Sequence, residues 1–135
     1  MTLLTWNHDC AVGVRAMDDQ HSILMDTLNE LRLAVVRGRG REHVSEIFDR
    51  LIEFTRMHFW SEEQLLERSH YPMLEDHRAA HQKLMAEMTQ RARSLQYGES
   101  NQTGALLNHI RTSYMDHMEV ADRLYGPYLN DLGIF

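Results

Sequence analysis

The sequence predicts an all-α protein, an antiparallel up-down-up-down four-helix bundle with an N-terminal arm and a short C-terminal helix or tail. Two observations carry this expectation. Apolar residues recur at helical spacing over four long segments, and the breaks between those segments are short, which favours antiparallel neighbours. Strand-like alternation never persists beyond a few residues, and seven glycines with two prolines are too few for an all-β or disordered chain.

The first seventeen residues read as an extended arm, with Trp6, Val12 and Val14 available to lie across the bundle. The first helix is expected from Asp18, a suitable N-cap, to Val36, with Met17, His21, Leu24, Leu28, Leu31 and Val35 on one face. Gly38 and Gly40 stop it. The second spans about Arg41 to Arg68 on the stripe Val44, Phe48, Leu51, Thr55, His58, Glu62 and Leu65, ending before Pro72. The third runs from Pro72 or Met73 to Tyr97, with Leu74, His77, His81, Leu84, Met88 and Leu95 in line, and closes at Gly98 to Gln102. The fourth runs from Thr103 to Leu124, with Leu106, Ile110, Tyr114, His117, Ala121 and Leu124 facing in. Gly126-Pro127 is expected to break it, leaving residues 125–135 as a tail packed back on the bundle. At about 1.5 Å rise per residue, each helix is roughly 30 Å long, enough for a complete core.

Composition narrows the function. A chain of 135 residues is expected to be one domain, 1–135. A net charge of -6 argues against nucleic acid, since Arg37, Arg39 and Arg41 are interrupted by glycines and supply no phosphate footprint. No stretch approaches the roughly 18 apolar residues of a membrane span. The opening Met1 to Asn7 lacks a basic segment and an apolar core, so no secretory signal is expected. A lone cysteine, Cys10, excludes an intramolecular disulfide and a thiolate cluster, and suits a reducing cytoplasm.

Nine scattered histidines are the anomaly. His21, His58, Glu62, His77, His81 and His117 fall on the apolar stripes, one or more from every helix. A lone histidine on such a stripe is more often a hydrogen-bonded core residue than a ligand, but six converging groups in a dry core need a metal, because protonation would set the imidazoles repelling. His58 and Glu62, and His77 and His81, stand one turn apart on one face. Asp122 is less obliging: five residues after His117, it is rotated by about 140° on an ideal helix, so both reach one site only if it lies between them or the helix is distorted. Imidazole with carboxylate and no thiolate suits iron, zinc, copper or manganese. Five histidines and two carboxylates exceed one ion's coordination number, which points to two ions bridged by the carboxylates.

Asp19-Gln20-His21, His58-Phe59-Trp60-Ser61-Glu62, His77-Arg78-Ala79-Ala80-His81 and His117 through Asp122 resemble, in order, the motifs of the hemerythrins. Val12 through His21 and the ending Asp122-Arg123-Leu124-Tyr125 are similar to the bacterial branch, the bacteriohemerythrins. The resemblance covers nearly the whole chain and implies two irons (Fe2+/Fe3+) with an oxo or hydroxo bridge. By it, His77, His81 and His117 bind one iron, His21 and His58 bind the other, and Glu62 and Asp122 bridge both. The second iron is left with an open position for dioxygen, and the five-residue spacing of Asp122 is the family's own. Phe59, Ile110 and Tyr114 are expected to exclude water there.

His8, His43, His70 and His109 match no ligand position and read as surface or loop residues, while Glu63 points about 100° from Glu62, toward a supporting or solvent role. The nine methionines read as core filler. The expected function is reversible dioxygen binding for storage, transport or delivery, by a non-enzymatic cytoplasmic monomer with an oxygen-consuming enzyme as candidate partner. The alternatives are an oxygen or redox sensor and a di-iron peroxidase or oxidase, the last disfavoured because no inward acid or base beyond the ligands is apparent.

Overall fold

A computed structural model describes residues 10–96 and 103–135. Its helices are α1 (Arg15–Val36), α2 (Arg41–Arg68), α3 (Leu74–Gln96), α4 (Thr103–Asp116) and α5 (Arg123–Asp131), with a π-helical segment, His117–Asp122, joining the last two. α1 packs on α2, α2 on α3, α3 on α4 and α4 back on α1, a closed four-helix ring in which α2 and α4 run parallel across the diagonal. No strand occurs among the described residues.

The ring closes because each helix buries one stripe. Leu24, Met25, Leu28 and Leu31 from α1 meet Ile47, Phe48 and Leu51 from α2, Leu84 and Met88 from α3, and Leu106, Ile110 and Tyr114 from α4. Each such side chain contributes about 1.5–3 kcal/mol of transfer free energy. A second cluster at the other end of the bundle joins Val12, Val14 and Met17 to Leu66, Tyr71, Tyr125 and Leu129. The layer between the two clusters holds the histidines and carboxylates.

The turns follow from helix-end chemistry. α1 ends in a Schellman closure, with Arg39 N–H bonding Ala34 C=O and Gly38 N–H bonding Val35 C=O. Gly38 adopts φ 64°, where a side chain is unfavourable. α2 ends the same way through Tyr71 N–H to Leu66 C=O and His70 N–H to Glu67 C=O, with His70 at φ 55° in the seat glycine usually takes. Pro72 then cannot continue the helix.

Four expectations change. Asp18 is not the N-cap: α1 begins at Arg15, and the Asp18 carboxylate instead accepts from Val12 N–H at 2.8 Å and Gly13 N–H at 3.3 Å, tying the incoming chain to the first turn. The arm therefore ends at Val14, with Val12 and Val14 buried; Trp6 and His8 lie outside the described residues. The expected end of α3 at Tyr97, its closing loop and the inward placing of the Leu95 side chain also lie outside them. Gly126-Pro127 does not break the chain's last helix, because burial of Tyr125 and Leu129, both 0% exposed, holds α5 helical through the proline. Gly126 serves close approach: a Cβ there would stand 2.1 Å from the Val12 carbonyl oxygen. Leu124, expected inside, is 56% exposed. The π segment inserts one extra residue per turn and advances the inward face by one, so Asp122 and Tyr125 turn in where Ala121 and Leu124 were expected.

The glycine contrast gives a test. Gly126→Ala is expected to displace the Val12 backbone and cost about 1–3 kcal/mol. Gly104→Ala, which meets nothing within 4 Å, is expected to be neutral or to stabilise by up to about 1 kcal/mol. Thermal melts followed by circular dichroism compare the two; equal melting temperatures would refute the close packing of Val12 on α5.

Candidate metal centre

Each helix delivers its share to one level of the bundle. His21 comes from α1, His58 and Glu62 from α2, His77 and His81 from α3, His117 and Asp122 from the π segment. All but His117 are buried, and His117 has a side chain only 8% exposed. The π turn resolves the five-residue problem, since an i to i+5 ladder stacks His117 and Asp122 where an α-helix splays them.

The donor atoms form two groups that share Glu62 and Asp122. One group is His77, His81, His117 and the two carboxylates, the other His21, His58 and the same carboxylates, and within each the atoms lie within 4.8 Å of one another. Glu62 Oε1 is 2.5 Å from His77 Nε2 and 3.0 Å from His81 Nε2, while its Oε2 is 3.3 Å from His58 Nε2. Asp122 Oδ2 stands 2.9 Å from His21 Nε2, and Oδ1 is 3.0 Å from His77 Nε2 and 3.1 Å from His117 Nε2. His21 and His58 face each other Nε2 to Nε2 at 3.0 Å, as do His81 and His117 at 3.1 Å.

That convergence tests the fit to a metal. Both Asp122 oxygens are buried without one properly directed hydrogen bond, although three imidazole nitrogens crowd within 3.1 Å. Atoms that are close but aim past one another share a common target, as ligands of a cation do. Five imidazoles around two carboxylates, with no sulfur, fit a pair of borderline divalent or trivalent ions.

Outer contacts set the imidazole orientation. His58 Nδ1–H donates to Gln20 Oε1 at 2.6 Å, and His81 Nδ1–H donates to Glu63 Oε2 at 2.9 Å. Arg78 Nε holds Glu63 at 3.3 Å. Each contact fixes the tautomer that points Nε2 inward. Phe59 stacks on His81 at 3.7 Å, tilted by 8°, and covers that imidazole from the side.

Charge balance in the metal-free protein follows from the same geometry. Burial pulls His21 and His77 toward neutrality, but the facing Asp122 and Glu62 carboxylates overcome it and raise them to about 10 and about 9. Burial and Glu62 push Asp122 up, and His117 and His21 more than reverse that, leaving it below the usual carboxylate range. Burial pushes Glu62 up as well, but four facing imidazoles outweigh it and hold the carboxyl well below its ordinary value.

A family model, the hemerythrin HHE cation-binding domain, matches residues 12–129. The chain belongs to the hemerythrin family. Among its relatives is the bacteriohemerythrin of Methylococcus capsulatus, 30% identical over 131 residues that cover 96% of this chain and 99% of that one. The bacteriohemerythrin of Stenotrophomonas maltophilia is 31% identical, covering 82% and 76%. A crystal structure of wild-type hemerythrin superposes with a TM-score of 0.82 at 29% identity, covering 93% of this chain and 97% of that one. Structures of two single-leucine variants of hemerythrin superpose with the same TM-score.

The structure brings all seven sequence-predicted metal-type residues to one level, and three buried or neighbouring residues that sequence reasoning overlooked lie beside them. Tyr125, assigned to the tail, is fully buried and donates its O–H to Glu62 Oε2 at 2.9 Å. Its place three residues after Asp122 was the available signal. Gln20, beside His21, orients His58 on the neighbouring helix, which no spacing rule within one helix reveals. Thr55, read only as a stripe position, is 0% exposed and bonded to Tyr114. Glu63 has the supporting role expected, and His43, His70 and His109 are exposed.

The protons on His21 and His77 stabilise the metal-free fold fully below pH 6.5, and this is lost as pH rises through about 9 and about 10. The lowered Glu62 and Asp122 contribute above their ordinary 4.5 and 3.8 and lose that contribution as pH falls. Chelator-treated protein is therefore expected to melt highest between pH 4.5 and 6.5 and to weaken steadily toward pH 10. Calorimetry across that range checks it; a melting temperature flat from pH 6.5 to 10 counts against these buried ion pairs.

Proposed function

We propose that the chain takes up dioxygen at a two-iron centre and releases it unchanged, for storage, transport or delivery. The observation that carries this reading is the asymmetry of the two donor groups: three imidazoles on one side of the shared carboxylates and two on the other. His77, His81 and His117 would hold one iron and His21 and His58 the other, with Glu62 and Asp122 shared between them, so a position would remain open beside His21 and His58. When bound, the iron pair supplies two adjacent one-electron reductants and an oxo or hydroxo bridge.

The chain's own residues bias the site toward binding rather than turnover. Tyr125 corrects the expectation that no inward proton-bearing group exists beyond the ligands. Burial, together with the Glu62 and Asp122 charges, pushes its phenol well above the ordinary value, so it keeps its proton and holds Glu62 in place rather than delivering a proton. Phe59, Leu24, Met25 and Met118 surround the layer with hydrocarbon, which excludes water. Cys10, the only cysteine, is buried and free of a disulfide, in keeping with a reducing cytoplasm. No described helix is long and apolar enough to cross a membrane. We extend the proposal to a monomeric carrier that hands dioxygen to an oxygen-consuming enzyme.

The deciding experiment is optical. Reduced iron-loaded protein exposed to air is expected to develop a charge-transfer band that disappears under argon and returns with air through several cycles. Direct conversion to a permanently oxidised form overturns the carrier reading. Gln20→Ala and Glu63→Ala, which release the outer nitrogens of His58 and His81, are expected to weaken iron retention about 10–100-fold without unfolding the bundle. Competition with a chromophoric chelator measures this, and retention equal to the parent protein removes their supporting role.

A further inference from the structure

The hydrocarbon layer next to the metal centre contains a polar pair that the reading above does not use. Thr55 on α2 and Tyr114 on α4 are 0% and 1% exposed, and their hydroxyls are in direct hydrogen-bond contact. Leu24, Met25, Leu51, Phe59, Ile110 and Met118 belong to the same core cluster and offer no side-chain oxygen or nitrogen. Sequence reading treated Tyr114 as one more water-excluding ring; the structure turns its hydroxyl inward.

The placement is specific. Thr55 precedes His58 by three residues and Tyr114 precedes His117 by three, so each hydroxyl lies on its ligand's face about 4.5 Å further along the axis. Because α2 and α4 are the parallel diagonal pair, the contact crosses the bundle axis directly beside the histidine layer. Glu62 and Asp122 extend to the opposite side, where Tyr125 closes the centre. A ligand at the position beside His21 and His58 therefore meets the Thr55–Tyr114 side. Thr55 has one proton and gives it to Leu51 C=O at 2.6 Å, so Thr55 Oγ1 accepts from the Tyr114 O–H. That phenol proton can rotate to a second acceptor with no other bond broken in the layer. Burial raises the phenol's pKa, so the proton is present throughout the physiological range.

We propose that Tyr114 is a positioning residue whose hydroxyl turns its proton from Thr55 to a small end-on acceptor ligand, dioxygen or an anion such as azide, bound beside His21 and His58. This rests on the open-position reading above. Thr55 is the competing acceptor, and it sets how readily Tyr114 donates.

Azide titration of the oxidised, iron-loaded full chain tests it, read by the charge-transfer band and by the azide asymmetric stretch in the infrared. Tyr114→Phe is expected to weaken azide about tenfold and to shift the stretch. Thr55→Val removes the competitor and is expected to strengthen binding and shift the stretch the other way. Iron content and the melting temperature without azide report structural effects separately. If the parent protein binds no azide, the open-position reading fails. If it binds azide and both variants keep its affinity and stretch, the Tyr114 proposal fails. Should Tyr114→Phe not retain iron, Thr55→Val decides alone, an unshifted stretch overturning the proposal.

Discussion

Two carboxylates, Glu62 and Asp122, lie fully buried within reach of the same five imidazoles, and everything else in the bundle is arranged around that fact. A buried unpaired carboxylate is one of the most expensive things a fold can contain. Here both negative charges are faced by His21 and His77, which the carboxylates keep protonated in the metal-free protein and which would lose those protons on binding a cation. The layer is costly as bare polar groups and favourable as a filled site, so the hydrocarbon clusters on either side must supply the stability that holds it together.

The same constraint accounts for the irregular stretch of backbone. His117 and Asp122 must reach one point, and a regular α-helix cannot bring residues five apart to one face. The π turn does, and the register shift it creates is used twice more: it turns Tyr125 onto Glu62 and moves Leu124 to solvent. Gly126 then meets the Val12 backbone, so the incoming chain at Val12 to Val14 seals the carboxylate end of the bundle. One local distortion thus couples ligand geometry to the closure of the site.

What was legible in the sequence was whatever depends on periodicity within one helix. The span of α2 and the level of His21, His58, Glu62, His77, His81 and His117 follow from apolar spacing, because burial and helical repeat together decide which face turns in. The errors share a cause. Leu124 and Ala121 were placed inward by extending a 3.6-residue repeat through a segment that departs from it. Asp18 was read as a cap because its use, bonding back to Val12 and Gly13, depends on where the preceding chain lies. Gln20 and Thr55 act across helix pairs, α1 to α2 and α2 to α4, and a single chain read along its length carries no signal for contacts between helices.

The two ends of the metal layer are chemically unlike, and that difference gives the site a direction. On the carboxylate side the polar groups are tied: Tyr125 to Glu62, and Tyr128 across the end of α2 to the Ser69 and His70 carbonyls. On the other side lies a largely hydrocarbon cluster, in which Thr55 and Tyr114 place two hydroxyls next to the histidines. An apolar diatomic molecule partitions into the second environment and not the first. On the proposed ligand assignment, the half of the centre beside His21 and His58 would take its ligand from the hydrocarbon side, because Glu62 and Asp122 occupy the other. On the proposed function, supply of the ligand and the position for it would fall on the same face, the arrangement that binding requires and that a site built only to store metal has no reason to possess.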